Sequence, residues 1–303
     1  MVTVVATNPS SDFSSSSPPT ERRGGVLYVV ATPIGNLEDI TLRALRVLKE
    51  VSLIAAEDTR RTRKLLNHYE IGTRCRSYYR EKESRQAAEI MEVLASGRSV
   101  ALVSDAGTPG IADPGAVLVN SAREAGYPVV PVPGASAPAA LLSVAGQSMA
   151  AYIFLGFLPA RAAERRRLLQ ELKVELRPLV FYESPHRLLV SLSDCLSVLG
   201  PRPVVLGREL TKMHEEIFAG GLDEVLADFK QRPAIKGEFV LLISGSPRGE
   251  EPGETRPSGE DMEQLARWYR DVQQLSLKDT ARRIAADLEQ PRSTVYRRLL
   301  ALW

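Results

Sequence analysis

The stretch VLYVVATPIGNLEDITLRALRVLKE (26–50) decides the fold. Its first six residues, VLYVVA (26–31), are a continuous apolar run rich in valine, which predicts a strand buried on both faces. TPIGNLE (32–38) turns the chain, and DITLRALRVLKE (39–50) carries apolar residues at helical spacing. The same strand–loop–helix order repeats outward. SLIAA (52–56) predicts a strand and DTRRTRKLL (58–66) a basic helix, and a further helix over about 84–96 ends at Gly97. SVALVS (99–104) is a strand, DAGTPGIADPG (105–115) a loop and AVLVNSAREAG (116–126) a helix. YPVVPV (127–132) is extended, PGASAP (133–138) turns, and AALLSVAG (139–146) is helical. This alternation predicts an α/β fold with a mostly parallel sheet covered on both faces.

A second α/β unit is expected from strands IFLGF (153–157), LVFYE (179–183), PVVLGRE (203–209) and EFVLLISG (238–245), with helices at about 163–174, 187–198 and 222–230. The boundaries read as a disordered Ser/Pro/Thr-rich tail at 1–25, subdomains at 26–148 and 149–245, and a Gly/Pro/Glu linker at 246–260. Residues 261–303 carry a capping box at Ser276–Asp279 and the breaker Gln290-Pro291, the outline of a helix-turn-helix-like module.

Composition narrows the function. With 39 Lys+Arg against 37 Asp+Glu in 303 residues, the net charge is +2, so nucleic-acid binding must use local basic patches. Two cysteines and three histidines argue against a disulfide scaffold or a clustered metal site and fit a reducing cytoplasm. No run approaches the roughly 18 apolar residues that span a bilayer. G-x-G-x-x-G, G-x-x-x-x-G-K-[ST], H-E-x-x-H, C-x-x-C and G-x-S-x-G are all absent. What remains is three Gly/Pro loops after strands, Thr32–Asn36, Asp105–Gly115 and Pro133–Ala137, where open α/β sheets bind small molecules.

The blocks LYVVATPIGNLEDITLRALRVL (27–48), AAEDTRRTRKLL (55–66), SDAGTPGIADPG (104–115), VPGASA (132–137), FYESPHRL (181–188), GRELTKMHEE (207–216) and KGEFVLLISG (236–245) resemble the tetrapyrrole-methylase superfamily. Within it, they resemble the branch that methylates the ribose 2′-hydroxyl of a cytidine in 16S rRNA of the small ribosomal subunit. The resemblance implies a homodimer whose two α/β subdomains hold S-adenosylmethionine in the cleft between them, with no metal. It places Pro33, Gly35, Ser104, Asp105, Ala106, Gly107, Ser136, Ala137, Glu183 and Gly237 at the cofactor. Glu57, Asp58, Glu183, His186 and Glu209 are the candidate proton acceptors; Glu183 comes first, and an ion pair with Arg187 is its equal alternative.

RNA candidates are Arg60, Arg61, Arg63 and Lys64 for phosphate, and Tyr79 beside Tyr78 for a base, against packing of the tyrosine pair. Arg292, Arg297 and Arg298 extend the set into the helical module, which could instead serve packing. Arg161, Arg165, Arg166 and Arg167 read as a solvated helix face. Two other functions compete: methylation of a tetrapyrrole, and a DNA-binding regulator that senses a small ligand.

Overall fold

The computed structural model describes residues 24–147, 150–247, 262–272, 275–288 and 290–300. Most of the expected tail and linker lies outside these residues. Gly25, assigned to the tail, is tied to the body: its N–H donates to the Leu94 carbonyl at 2.8 Å.

The first unit contains strands β1 (Leu27–Val30), β2 (Leu53–Ala56), β3 (Cys75–Ser77), β4 (Val100–Val103) and β5 (Val129–Val132). Between them run helices α1 (Leu42–Glu50), α2 (Thr59–His68), α3 (Glu83–Ala95) and α4 (Ala116–Glu124), and α5 (Ala137–Val144) follows. The strands form one sheet in the order β3-β2-β4-β1-β5, with every pairing parallel. Side chains alternate across it as the two-residue period of a strand requires. Val100 and Leu102 join the core beneath α3 and α4, whereas Ala101 and Val103 join the core beneath α1 and α2.

The second unit contains β6 (Ile153–Phe157), β7 (Leu179–Glu183), β8 (Pro203–Arg208), β9 (Glu216–Gly221) and β10 (Phe239–Ile243), with α6 (Ala162–Glu171), α7 (Leu188–Leu199) and α8 (Leu222–Gln231). Its order is β6-β7-β10-β8-β9, with only β6 and β7 parallel. Helix α5 lies before the expected boundary at 148 yet packs on the second unit: Leu141 meets Val180, Val205, Val240 and Leu242 on the second sheet. The two sheets therefore share a helix. Helices α9 (Met262–Arg267), α10 (Leu277–Asp287) and α11 (Arg292–Leu299) build a separate small core around Leu265, Tyr269, Ile284 and Val295. The Ser276 side chain caps α10 by accepting from the Asp279 N–H at 3.2 Å, as its capping-box sequence predicts.

One reading of the second unit needs correction. Arg165 is not on a solvated face but buried: its guanidinium meets Asp194 Oδ2 at 2.6 Å and donates to the Pro159 and Ala160 carbonyls at 3.1 Å each. That network, joined by Arg166, docks α6 on α7. A helix face read from charge alone cannot show a carboxylate waiting on the neighbouring helix.

Candidate active-site cleft

Strands β1 and β4 are neighbours, yet the chain leaves β1 toward β2 on one side and leaves β4 toward β5 on the other. Such a reversal opens a crevice at the carboxyl ends of the strands. Thr32 and Gly107 bridge its two loops, each N–H donating to the other's carbonyl at 2.9 and 3.0 Å. Gly107 sits at φ 75°, a conformation that L side chains rarely adopt.

The second unit closes the crevice from above through the GRELTK turn. There Glu209 and Thr211 hold φ 51° and 65°, and a β-branched residue in this region is strained. The strain is anchored: the Asn36 N–H donates to Thr211 Oγ1 at 3.0 Å, and Lys212 Nζ lies 2.8 Å from Glu209 and 2.9 Å from Glu238. Gly35 lies against this turn. A Cβ there would fall 2.5 Å from Lys212 Cγ and 2.8 Å from the Leu210 carbonyl, so the residue must be glycine for the two units to meet. Its expected cofactor role shares the position with this packing role.

Two compartments result. The larger, about 360 Å³, has apolar walls from Ile34, Ile111, Phe157, Leu210 and Val240. Asp105, Ala106, Gly107, Ser136, Ala137, Glu183 and Gly237 line it as well. The smaller, about 250 Å³, is lined by Pro33, Gly35, Ser104, Arg61, Lys64 and Lys212. The two are continuous: Ile34, Arg61, Asp105, Ala106 and Glu238 line both. All ten residues expected at the cofactor thus stand on one cleft.

The carboxylates divide sharply. Glu57 Oε2 accepts from the Asp105 N–H at 3.2 Å, and Asp105 Oδ1 accepts from the Asp58 N–H at 2.9 Å, which clasps the ends of β2 and β4. Burial pushes the Glu57 and Asp105 carboxyls above their ordinary values, and the charge of Asp113 adds to this at Glu57. Asp113, also raised by burial, faces Tyr182, whose hydroxyl is pushed up to about 12 by burial and then by Asp113. Asp58 instead caps α2 and grips Arg60 at 2.8 Å, and the Arg60 hydrogen bonds hold it at about 2. At Glu209, burial is outweighed by Lys212 and the Glu238 N–H, which hold the carboxyl below its usual range.

Glu183 departs from its expectation as the leading proton acceptor. Its side chain exposes 0% of its surface, and its carboxylate accepts from the Ser184 N–H (2.8 Å), Ser191 Oγ (2.5 Å) and Arg187 Nη2 (3.3 Å). Those donors engage both of its oxygens and fasten the end of β7 to α7. His186 is exposed and stands outside both compartments.

The basic helix sorts its cations by period. Thr62, Leu65 and Leu66 turn inward, Arg61 and Lys64 line the smaller compartment, and Arg60 is engaged by Asp58. Arg63 lies near the Cys75 thiol, on another side of the helix. Tyr78 is packed, with its hydroxyl donating to Glu83 Oε1 at 3.0 Å, while Tyr79 is half-buried with Lys82 Nζ 5.8 Å from its ring centre. In the helical module Arg292 and Arg297 share a groove with Lys278 and Tyr296, and Arg298 is exposed outside it. Sequence reasoning assigned no role to Asp113, Tyr182, Phe157, Lys212 or Glu238, although all but Phe157 stand in the quoted blocks. Among the described residues no cluster of three or more metal-ligating side chains occurs, and no helix is long and apolar enough to cross a membrane.

Residues 26–226 match the model of the tetrapyrrole (corrin/porphyrin) methylases. The chain is 48% identical over 230 residues to a ribosomal RNA small subunit methyltransferase I of Halalkalibacterium halodurans, which covers 76% of this chain and 79% of the relative. A Synechocystis protein of the same name is 43% identical over 281 residues, 92% of this chain and 98% of the relative. The fold resembles the solved uroporphyrin-III C-methyltransferase of Thermus thermophilus in complex with S-adenosylhomocysteine. The TM-score is 0.52 at 18% identity, over 72% of this chain and 97% of that one. By motif, fold and sequence identity, the chain belongs to the tetrapyrrole methylase family, on its ribosomal RNA small subunit methyltransferase I branch.

Proposed function

We propose that the protein transfers a methyl group from S-adenosylmethionine to the ribose 2′-hydroxyl of a cytidine in 16S rRNA of the small ribosomal subunit. The observation that carries this reading is one continuous cleft with an apolar chamber and a basic chamber, joined at Asp105 and Arg61, in a chain so similar to ribosomal RNA methyltransferases. The apolar chamber suits the methyl donor. Its volume of about 360 Å³ lies within the range of small-molecule sites, its walls offer apolar surface to an adenosyl group, and Asp105 offers an anion to a cation. Gly107 and Gly237, at φ 75° and 104°, keep backbone open to close approach.

When bound, S-adenosylmethionine supplies a methyl group already activated on a positive sulfur. The protein then has to orient the ribose oxygen and take its proton. Orientation falls to the loops after β1, β2 and β4, which are hydrogen-bonded to one another and converge on the seam. For the proton we assign Glu57. Of the five candidates, Asp58 and Glu209 are held by cations, Glu183 is engaged by donors at both oxygens and His186 stands outside, whereas Glu57 faces the chamber with a raised affinity for a proton.

The groove with Lys278, Arg292, Tyr296 and Arg297 supports RNA docking by the helical module, since it sets cations around an exposed aromatic ring. Homodimerisation rests on the family resemblance. A tetrapyrrole acceptor is the second reading, supported by the fold neighbours alone. Transfer of labelled methyl to small subunits lacking endogenous methylation, with nucleosides resolved by mass spectrometry, decides between them. A 2′-O-methylcytidine product is expected. Donor binding without transfer to subunits or free rRNA would refute the assignment.

A further inference from the structure

Asp105 stands at the seam of the two chambers with Arg61 Nη1 3.5 Å from its Oδ2. That separation is longer than the roughly 2.7–2.9 Å of a charge-assisted hydrogen bond. The Arg61 side chain is 63% exposed, so this cation is loosely held and free to swing. Lys64, one turn along α2, lines the same basic chamber. Lys212 on the opposite wall is already engaged by Glu209 and Glu238. Arg61 and Lys64 are therefore the cations best placed to receive an incoming anion. Arg61 differs from Lys64 in what its departure does: it takes the ion-paired cation away from the Asp105 carboxylate, half sunk in the cleft, and leaves only the more weakly felt charge of Arg60.

We infer that Arg61 couples the two chambers: a phosphate of the RNA strand entering the basic chamber draws Arg61 away from Asp105, and the uncovered carboxylate holds the cationic methyl donor more tightly. This rests on the function proposed above and extends it to an order of preference between substrates. By linkage the effect is reciprocal, so the donor at Asp105 releases Arg61 to the RNA by the same factor. A loose, exposed ion pair contributes little, so the coupling is about two- to fivefold.

Calorimetry of S-adenosylmethionine with the full chain, with and without unmethylated small-subunit rRNA, reads this directly. RNA should tighten donor binding two- to fivefold in the wild type. Arg61→Ala should bind the donor without RNA at least as tightly as the wild type, with its melting temperature retained, and show no further gain when RNA is added. S-adenosylhomocysteine, which lacks the sulfonium charge, should show a smaller gain than the donor. Millimolar inorganic phosphate should leave donor affinity unchanged; an equal gain with phosphate would assign the chamber to a free anion and overturn the RNA source. Weaker donor binding by Arg61→Ala without RNA would show that Arg61 holds the donor itself, and an undiminished gain in that variant would show that coupling runs elsewhere. Either result overturns the inference. Methyl transfer to rRNA with uncoupled binding would overturn the coupling and leave the function intact, whereas a wild type that binds no donor would overturn both.

Discussion

Replacing Glu57 by Gln removes one negative charge from the cleft with almost no change in volume. The amide oxygen can still accept from the Asp105 N–H, at 3.2 Å in the structure, so the clasp between β2 and β4 survives. What is lost is the proposed proton acceptor. General-base catalysis contributes about 10²–10⁴-fold, so the barrier should rise by roughly 2.7–5.4 kcal/mol. Stability should move the other way. Burial and the neighbouring Asp113 and Asp105 charges raise the Glu57 pKa above 4.5. A carboxyl raised in the folded state favours folding below its unfolded pKa, and that advantage disappears as pH climbs through the folded value. At pH 7 the ionised Glu57 is no asset to the fold, and Glu57→Gln should melt at the wild-type temperature or above. The same raised pKa should place the acid limb of kcat/KM above the ordinary carboxylate range, with rate rising with pH, and the variant should lack that limb. Glu183→Gln supplies the contrast. Its carboxylate accepts three hydrogen bonds at 2.5–3.3 Å with no exposed surface, and weakening such charge-assisted bonds should cost about 1–3 kcal/mol. Single-turnover methyl transfer and thermal melts on both variants test the assignment. Wild-type turnover in Glu57→Gln, or a fully stable Glu183→Gln devoid of turnover, would refute it.

Asp105→Asn, whose amide oxygen can still accept from the Asp58 N–H, should weaken S-adenosylmethionine binding in calorimetry while the fold melts normally; unchanged affinity would remove Asp105 from the donor site. Gly35→Ala drives a Cβ to within 2.8 Å of the Leu210 carbonyl, which cannot rotate aside, so it should cost about 1–3 kcal/mol in a melt and loosen donor binding as the units separate. Removing residues from 258 onward should keep donor affinity and weaken rRNA binding in a filter assay; equal RNA binding by both chains would leave the helical module a packing role.

The sequence by itself determined the alternating order of strands and helices, because a strand buried on both faces must be an unbroken apolar run and the helices between carry their own period. It also located the cleft. The three Gly/Pro loops follow strands, and in a parallel sheet all such loops gather at one edge, so Pro33, Asp105 and Ser136 had to be neighbours of a kind. The short strand β3 and the edge strand β9 were missed, since CRS (75–77) and EIFAGG (216–221) are half-exposed and carry too little apolar signal to stand out from loop. Only the tertiary structure decided what each charged side chain does. Arg61 faces the cleft while Arg60 grips Asp58; Glu183 is locked into a buried network while Glu57 stays open. Helix α5 leaves its own sheet to pack on the other. The physical reason is common to all of these. Hydrophobic burial is written in local periodicity, but the role of a charge depends on which partner another element brings within about 3–4 Å, and that distance exists only once the chain has folded.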